Sequence, residues 1–237
     1  MKKNFVFASI CVILSVSLMN CTAGVSFAVP FTRSDDEKVY SWHQNNSKKI
    51  ALTFDDGPHA SYTAEIIDLL DEYSAKATFF VIGSCAETYP DVLAECVRRG
   101  HEIGNHTYSH ANLRSAQEQR CRDEILCAER AIYEAAEIKP KLLRPPEGKY
   151  SDEICALADE LDYKIILWTV DTRDWAHTPP ERIFENIKAN VKSGDIILFH
   201  DNITGKSPTI DALRLVLPYL SAEGYSFVTV SELIESK

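Results

Sequence analysis

Asp55 and Asp56 close an apolar run, Lys49-Ile50-Ala51-Leu52-Thr53-Phe54-Asp55-Asp56-Gly57-Pro58, and further along His106 and His110 bracket the segment His-Thr-Tyr-Ser-His. Two imidazoles and a carboxylate are an ordinary ligand set for a divalent cation, and a second carboxylate beside them can carry protons. The spacing of the histidines predicts a helical turn, on which residues four apart share a face. Asp-Asp-Gly-Pro alone is a common turn, and paired histidines in an acidic chain often sit on the surface. Here each pair directly follows a short apolar run, and loops leaving strand ends are where α/β enzymes gather their chemistry. A metal site beside a free carboxylate is the stronger reading.

The elements that must position these residues follow from the pattern of short apolar runs. Ile50–Phe54, Ala77–Ile82, Glu102–Gly104, Lys141–Leu143, Tyr163–Val170, Asp195–Phe199 and Tyr225–Val230 read as strands. Helical patterns lie between them, at Thr63–Tyr73, Pro90–Arg99, Ser115–Glu137, Ser151–Leu161, Pro180–Lys192 and Pro208–Glu223. Three of these helices have proline at the start and glycine just past the end, at Gly100, Gly194 and Gly224. Strand and helix in alternation, with nearly continuous apolar strands, predict parallel pairing with helices outside. An open doubly wound sheet is the rival of a closed or nearly closed barrel. The barrel is favoured because Asp55, His106, Arg144, Asp174 and His200 all fall at or just after strand ends, which a barrel gathers at one mouth.

Residues 48–237 contain no linker, charge block or evident repeat and suit one α/β domain, while residues 29–47 show no clear period and read as a lead-in. Met1-Lys2-Lys3, an uncharged stretch from Asn4 to Met19, and Ser26-Phe27-Ala28 read as a signal peptide over residues 1–28. The apolar stretch is shorter than the ~20 residues a spanning helix needs. The expectation is therefore secretion, or association with the cell wall or membrane after export. Cleavage removes two lysines and no carboxylate, moving the formal charge from -10 to -12. A chain so acidic, with no basic patch, is not expected to bind nucleic acid. Cys85, Cys96, Cys121, Cys127 and Cys155 follow the expected cleavage point, and the spacing of Cys121 and Cys127 on a helix points their thiols to different faces. Buried apolar thiols are the expected role.

Three more clusters complete the set: Leu143-Arg144-Pro145-Pro146-Glu147-Gly148, Trp168-Thr169-Val170-Asp171-Thr172-Arg173-Asp174-Trp175 and Ile196-Ile197-Leu198-Phe199-His200-Asp201. With TFDDGP, HTYSH, RPPEG, DTRDW and LFHD in that order from Lys49 to Leu233, the chain resembles the polysaccharide deacetylase family, the group with the chitooligosaccharide-deacetylase homology domain and carbohydrate esterase family 4 chemistry. The resemblance implies a distorted (β/α) barrel of seven or eight strands and metal-dependent removal of acetyl from N-acetylated sugar. It implies Asp56, His106 and His110 as metal ligands, Asp55 as the base, and His200 as the acid that protonates the departing amine. Asp174 would hold and charge His200, Arg144 would orient Asp55, and Trp175 and Leu198 would seat the acetyl methyl. The ion is expected to be zinc, with cobalt or nickel as alternatives.

One departure concerns substrate. The family often carries an aromatic residue after the two prolines, where this chain has Glu147. The role assigned there to the backbone N–H, binding the oxyanion, survives the change. A carboxylate at the rim is expected to repel an anionic sugar and favour a neutral or partly deacetylated one. His59, His101, Asp171 and Asp201 are expected to support the site without a chemical role. The expected substrate is an extracellular glycan, peptidoglycan or a chitin-like oligosaccharide, with no obligate protein partner implied. The competing readings are an O-acetyl esterase on xylan, a glycan-binding pseudoenzyme and a non-haem iron oxygenase. The complete acid, base and ligand set opposes the last two.

Overall fold

A computed structural model describes residues 39–43, 45 and 47–236. The expected signal peptide lies outside the described residues. The strands are β1 (Val39–Tyr40), β2 (Lys49–Asp55), β3 (Ala77–Val81), β4 (Glu102–Asn105), β5 (Leu142–Leu143), β6 (Lys164–Ile166), β7 (Val170–Asp171), β8 (Ile196–His200) and β9 (Ser226–Phe227). The helices are α1 (Tyr62–Glu72), α2 (Gly83–Thr88), α3 (Pro90–Arg98), α4 (Glu118–Ala136), α5 (Asp152–Glu160), α6 (Pro180–Asn190), α7 (Thr209–Ala222) and α8 (Val230–Glu235).

All the strand pairs are parallel, in the order β1-β6-β5-β4-β3-β2-β8-β7, with β9 on the start of β2. The sheet curls into a half-barrel with helices outside, in one α/β domain. Strand alternation then decides which side chains reach the mouth. Ile50, Leu52 and Phe54 pack outward in a cluster with Ile66, Leu70, Leu213 and Leu217 from α1 and α7. Ala51 of β2 belongs to the inner cluster with Phe80, Leu143, Ile196 and Leu198. Thr53 and Asp55 share the parity of Ala51, as His200 shares that of Leu198, so base and acid candidates rise on one inner wall.

The expected single strand Tyr163–Val170 is broken by Leu167-Trp168-Thr169, because this segment leads from β6, past β1, across the open seam to β7. Leu167 N–H donates to the Tyr40 carbonyl on one side and Thr169 N–H to the Ile196 carbonyl on the other, at 2.7 and 3.0 Å. The sheet also begins earlier than expected. Within the lead-in, Val39 and Tyr40 pair with Ile165 and Ile166, and Trp42 bridges Asp195. Gly194 is required here: its φ is 92°, and a Cβ would fall 1.8 Å from the His43 carbonyl oxygen. The expected last strand shortens to β9 because Thr229 caps α8, its hydroxyl accepting from the Glu232 N–H at 3.2 Å. No disulfide joins the five cysteines among the described residues, and Cys96 and Cys121 are buried.

Candidate active site and metal centre

β2 and β8 are hydrogen-bonded neighbours in a register that sets Asp55 directly beside His200. Neighbouring strands lie ~4.8 Å apart, so the two side chains stand close together at the mouth. Each is held by a buried partner. Arg144 is fully buried, and its Nη1 donates to Asp55 Oδ1 at 2.7 Å and to Thr53 Oγ1 at 2.8 Å. The same guanidinium donates through Nε and Nη2 to the Ile166 and Leu167 carbonyls, at 3.2 and 3.0 Å, at the end of β6 where β5 has already stopped. Asp55 Oδ2 is left facing the cleft.

Asp174, also fully buried, sits in a 3-10 turn (Asp174–Ala176), and its Oδ1 accepts from His200 Nδ1 at 2.8 Å. Its Oδ2 accepts from the His200 N–H at 2.8 Å and from the Thr209 hydroxyl at 2.7 Å. Burial by itself would depress the His200 imidazole, but the Asp174 carboxylate overrides it, with help from Asp55 and Asp56, and raises the pKa to about 9. With Nδ1 occupied, His200 has Nε2 available to the cleft.

Asp56, His106 and His110 bring three ligand atoms within 4.8 Å of one another. Asp56 Oδ1 lies 3.4 Å from His106 Nε2 and 3.3 Å from His110 Nε2, yet it is buried without a hydrogen-bond partner. Tetrahedral zinc with bonds of ~2.0–2.1 Å sets its ligands about 3.3 Å apart, so the residues fit a cation. His106 Nδ1 is 2.7 Å from the Arg144 carbonyl, which can only accept; that nitrogen carries the proton and leaves the Nε2 lone pair free. Burial opposes a charge on His106, but Asp55 and Asp56 draw its pKa upward, and a divalent cation answers the same two carboxylates. Burial and the neighbouring His106 lower that of His110.

The expected helical turn at His106–His110 is absent. Thr107 and His110 take left-handed φ values of 67° and 57°, and the imidazoles converge through a loop. Two side chains hold that loop. Asn105 Oδ1 accepts from the Thr107 N–H at 2.8 Å, and the Glu124 carboxylate on α4 accepts from the Tyr108 and Ser109 N–H groups at 3.1 and 2.8 Å.

The profile of the polysaccharide deacetylase family matches residues 43–166. The peptidoglycan-N-acetylglucosamine deacetylase of Bacillus cereus is 42% identical over 195 residues, covering 81% of this chain and 91% of that protein. The chain belongs to the polysaccharide deacetylase family. Among solved structures, the Bc1960 peptidoglycan N-acetylglucosamine deacetylase in complex with a hydroxamate superposes on this polysaccharide deacetylase with a TM-score of 0.81 at 35% identity, over 84% of this chain and 94% of that one. A family 4 acetyl xylan esterase from Clostridium thermocellum, in complex with a cobalt ion, gives 0.73 at 35% identity, over 78% and 90%.

The mouth of this polysaccharide deacetylase is a cleft of about 630 Å3, lined by Asp55, Asp56, His106, His110, Glu147, Trp168, Asp171, Trp175, Leu198 and His200. Leu198 forms buried floor, and Trp175 stands 49% exposed. Asp171, expected only to support the site, lines the cleft itself, and Trp168 lines it without having been assigned a part from sequence. Trp168 lies in the crossing segment and Asp171 opens the DTRDW segment just after it, which was the available signal. Glu147, at φ 58°, is ion-paired with Lys149, which holds its carboxyl below the usual range. Lys149 thus accompanies the Glu147 carboxylate at the rim, in a half-exposed pair that salt screens. His59 and His101 serve the backbone: His59 Nδ1 accepts from the Ser61 and Tyr62 N–H groups at the start of α1, and His101 Nδ1 accepts from the Ala77 N–H.

Proposed function

We propose that this protein is an exported, zinc-dependent hydrolase that removes N-acetyl groups from N-acetylglucosamine units of peptidoglycan, with chitin-like oligomers as second substrate. The observation that carries the reading is the pairing of Asp55 with His200 beside the Asp56, His106 and His110 cluster. A bound divalent ion supplies Lewis acidity at the acetyl carbonyl and acidifies water. Asp55 Oδ2 takes the proton of the attacking water, while Arg144 keeps Oδ1 occupied and the side chain oriented. The Glu147 N–H donates to the oxyanion, and Trp175 and Leu198 seat the methyl group. His200 Nε2 then protonates the amine nitrogen as the carbon–nitrogen bond breaks, giving acetate and a free amino sugar.

An amine must be protonated to leave, whereas an ester's alcohol leaves more readily. A histidine held charged through neutral pH by Asp174 therefore favours amide over O-acetyl ester. The N2O ligand set suits zinc and also admits cobalt or nickel. The test is acetate released from purified peptidoglycan, N-acetylglucosamine oligomers and acetylated xylan by zinc-loaded protein, by chelated protein and by Asp55→Asn. Release from the amides that is lost in the variant and on chelation supports the proposal. Release from xylan alone identifies an esterase, and release from none identifies a glycan-binding protein. An Asp55-intact Glu147→Tyr protein in the same assay reads substrate ranking, which is expected to change.

A further inference from the structure

The chain that delivers His200 does not end its work there. Asp201 N–H donates to the Asp55 carbonyl at 3.1 Å, and Asn202 Nδ2 donates to the Asp56 carbonyl at 3.1 Å. From the other side, the Ile82 N–H donates to the Gly57 carbonyl at 3.0 Å. Three consecutive carbonyls, those of Asp55, Asp56 and Gly57, are thus held by the segments that leave β8 and β3.

The Asp201 side chain adds a second grip. It is buried, and its Oδ2 accepts from the Thr63 hydroxyl at 2.6 Å; Thr63 Oγ1 in turn accepts from the His59 N–H at 2.7 Å. The carboxyl group lies against Gly57 so closely that a Cβ there would fall 2.1 Å from Oδ2. One grip thus fixes the Asp56 peptide and the other the start of α1, just beyond Pro58. Asp56 between them has φ 77°, a left-handed conformation that a non-glycine residue keeps only where its surroundings impose it.

We infer that Asp201 and Asn202 are positioning residues that clasp the Asp55–Gly57 loop, and so fix the aim of the Asp56 carboxylate toward the metal and of the Asp55 carboxylate toward its water. The inference rests on the metal-site reading above. The acid ends β8 and the clasp follows it directly in the chain, so the spacing between base, ligand and acid is set by a single stretch of backbone. Partners one step behind metal ligands typically contribute 10–100-fold in affinity, the scale expected here.

The test measures zinc affinity by competition with a chromophoric chelator, with thermal midpoint and the kcat-against-KM split alongside, for the wild type, Asp201→Ala, Asp201→Asn and Asn202→Ala. Asn202 is only partly buried, so its truncation leaves a folded protein in which the Asp56 carbonyl has lost one donor. Asp201→Ala and Asn202→Ala are expected to bind zinc roughly 10-fold or more weakly, with kcat falling and KM little changed. Asp201→Asn keeps an oxygen for Thr63 and is expected to restore most of the affinity. If Asn202→Ala and any folded Asp201→Ala lower only the thermal midpoint and bind zinc as the wild type does, the clasp is overturned. A wild type that binds no divalent ion overturns the metal site itself, and the clasp with it.

Discussion

Two arginines in this molecule each gather several partners, and they show how differently the same contacts count at the mouth and on the outside. Arg99, at the end of α3, donates through Nη1 to Asp68 and Asp71 of α1, at 2.6 and 3.0 Å, and its Nε contacts Glu95 one turn back. Arg144 also has partners at Nε, Nη1 and Nη2, but it is wholly enclosed, with its guanidinium carbon 4.0 Å from the centre of the Phe80 ring and 5.5 Å from that of Trp168. Water replaces each Arg99 contact at little cost. Nothing replaces those of Arg144: without it, Asp55 keeps a buried charge and two backbone carbonyls lose their donors.

The largest effect is therefore expected at Arg144. Arg144→Met should lower unfolding free energy by about 3–5 kcal/mol, read from urea denaturation. Adding Asp55→Asn should recover part of that loss, because the stranded carboxylate goes with it. A loss no larger than that of a surface pair would erase the contrast between the two arginines.

A smaller but more specific effect is expected at Asp174, which sharpens what enclosure does to charge. His200 stays protonated below about 9 because Asp174, with help from Asp55 and Asp56, outweighs burial. An acid whose pKa is raised in this way works at neutral pH and is lost as pH rises through that value. Asp174→Asn leaves burial opposed only by Asp55 and Asp56, so the alkaline limb of kcat/KM should move down by about 1–3 units. At neutral pH the lost protonation alone should lower the rate by up to roughly 10-fold. An alkaline limb that stays in place would show that His200 does not carry the proton.

The sequence made the strand ends legible because an apolar run stops abruptly at Asp55 and at His200, but not the faces, since runs apolar on both sides show no alternation and only the sheet's curl tells inside from outside. The contacts of Arg144 and Asp174 were legible only through the resemblance, since their partners lie far away in the chain. What escaped was set by distant groups. The left-handed loop between His106 and His110 depends on Glu124 of α4 and on the Asn105 side chain, where spacing alone suggested a helix. β1 is two residues long, too short to show a period, and it exists because β6 offers an edge. Trp168 reached the cleft because the seam interrupts a strand that the apolar run Tyr163–Val170 made look continuous.

The smallest effect should come from the more conspicuous cluster. Arg99 touches three carboxylates, but Asp68 is 66% exposed and Asp71 42%. Such pairs gain little over hydration and are screened by salt. Arg99→Ala should shift the thermal midpoint by no more than about 3 °C, and less at high salt. Activity should stay at the wild-type level, because α1 and α3 are held to the sheet by Ile66, Leu70 and Leu93, which the substitution leaves in place. A midpoint loss that grows to rival that of Arg144→Met, or that persists unchanged at high salt, would mean the outer ion pairs are as shielded from water as the inner one. The division between a load held by apolar packing outside and one held by buried charge at the mouth would then fail.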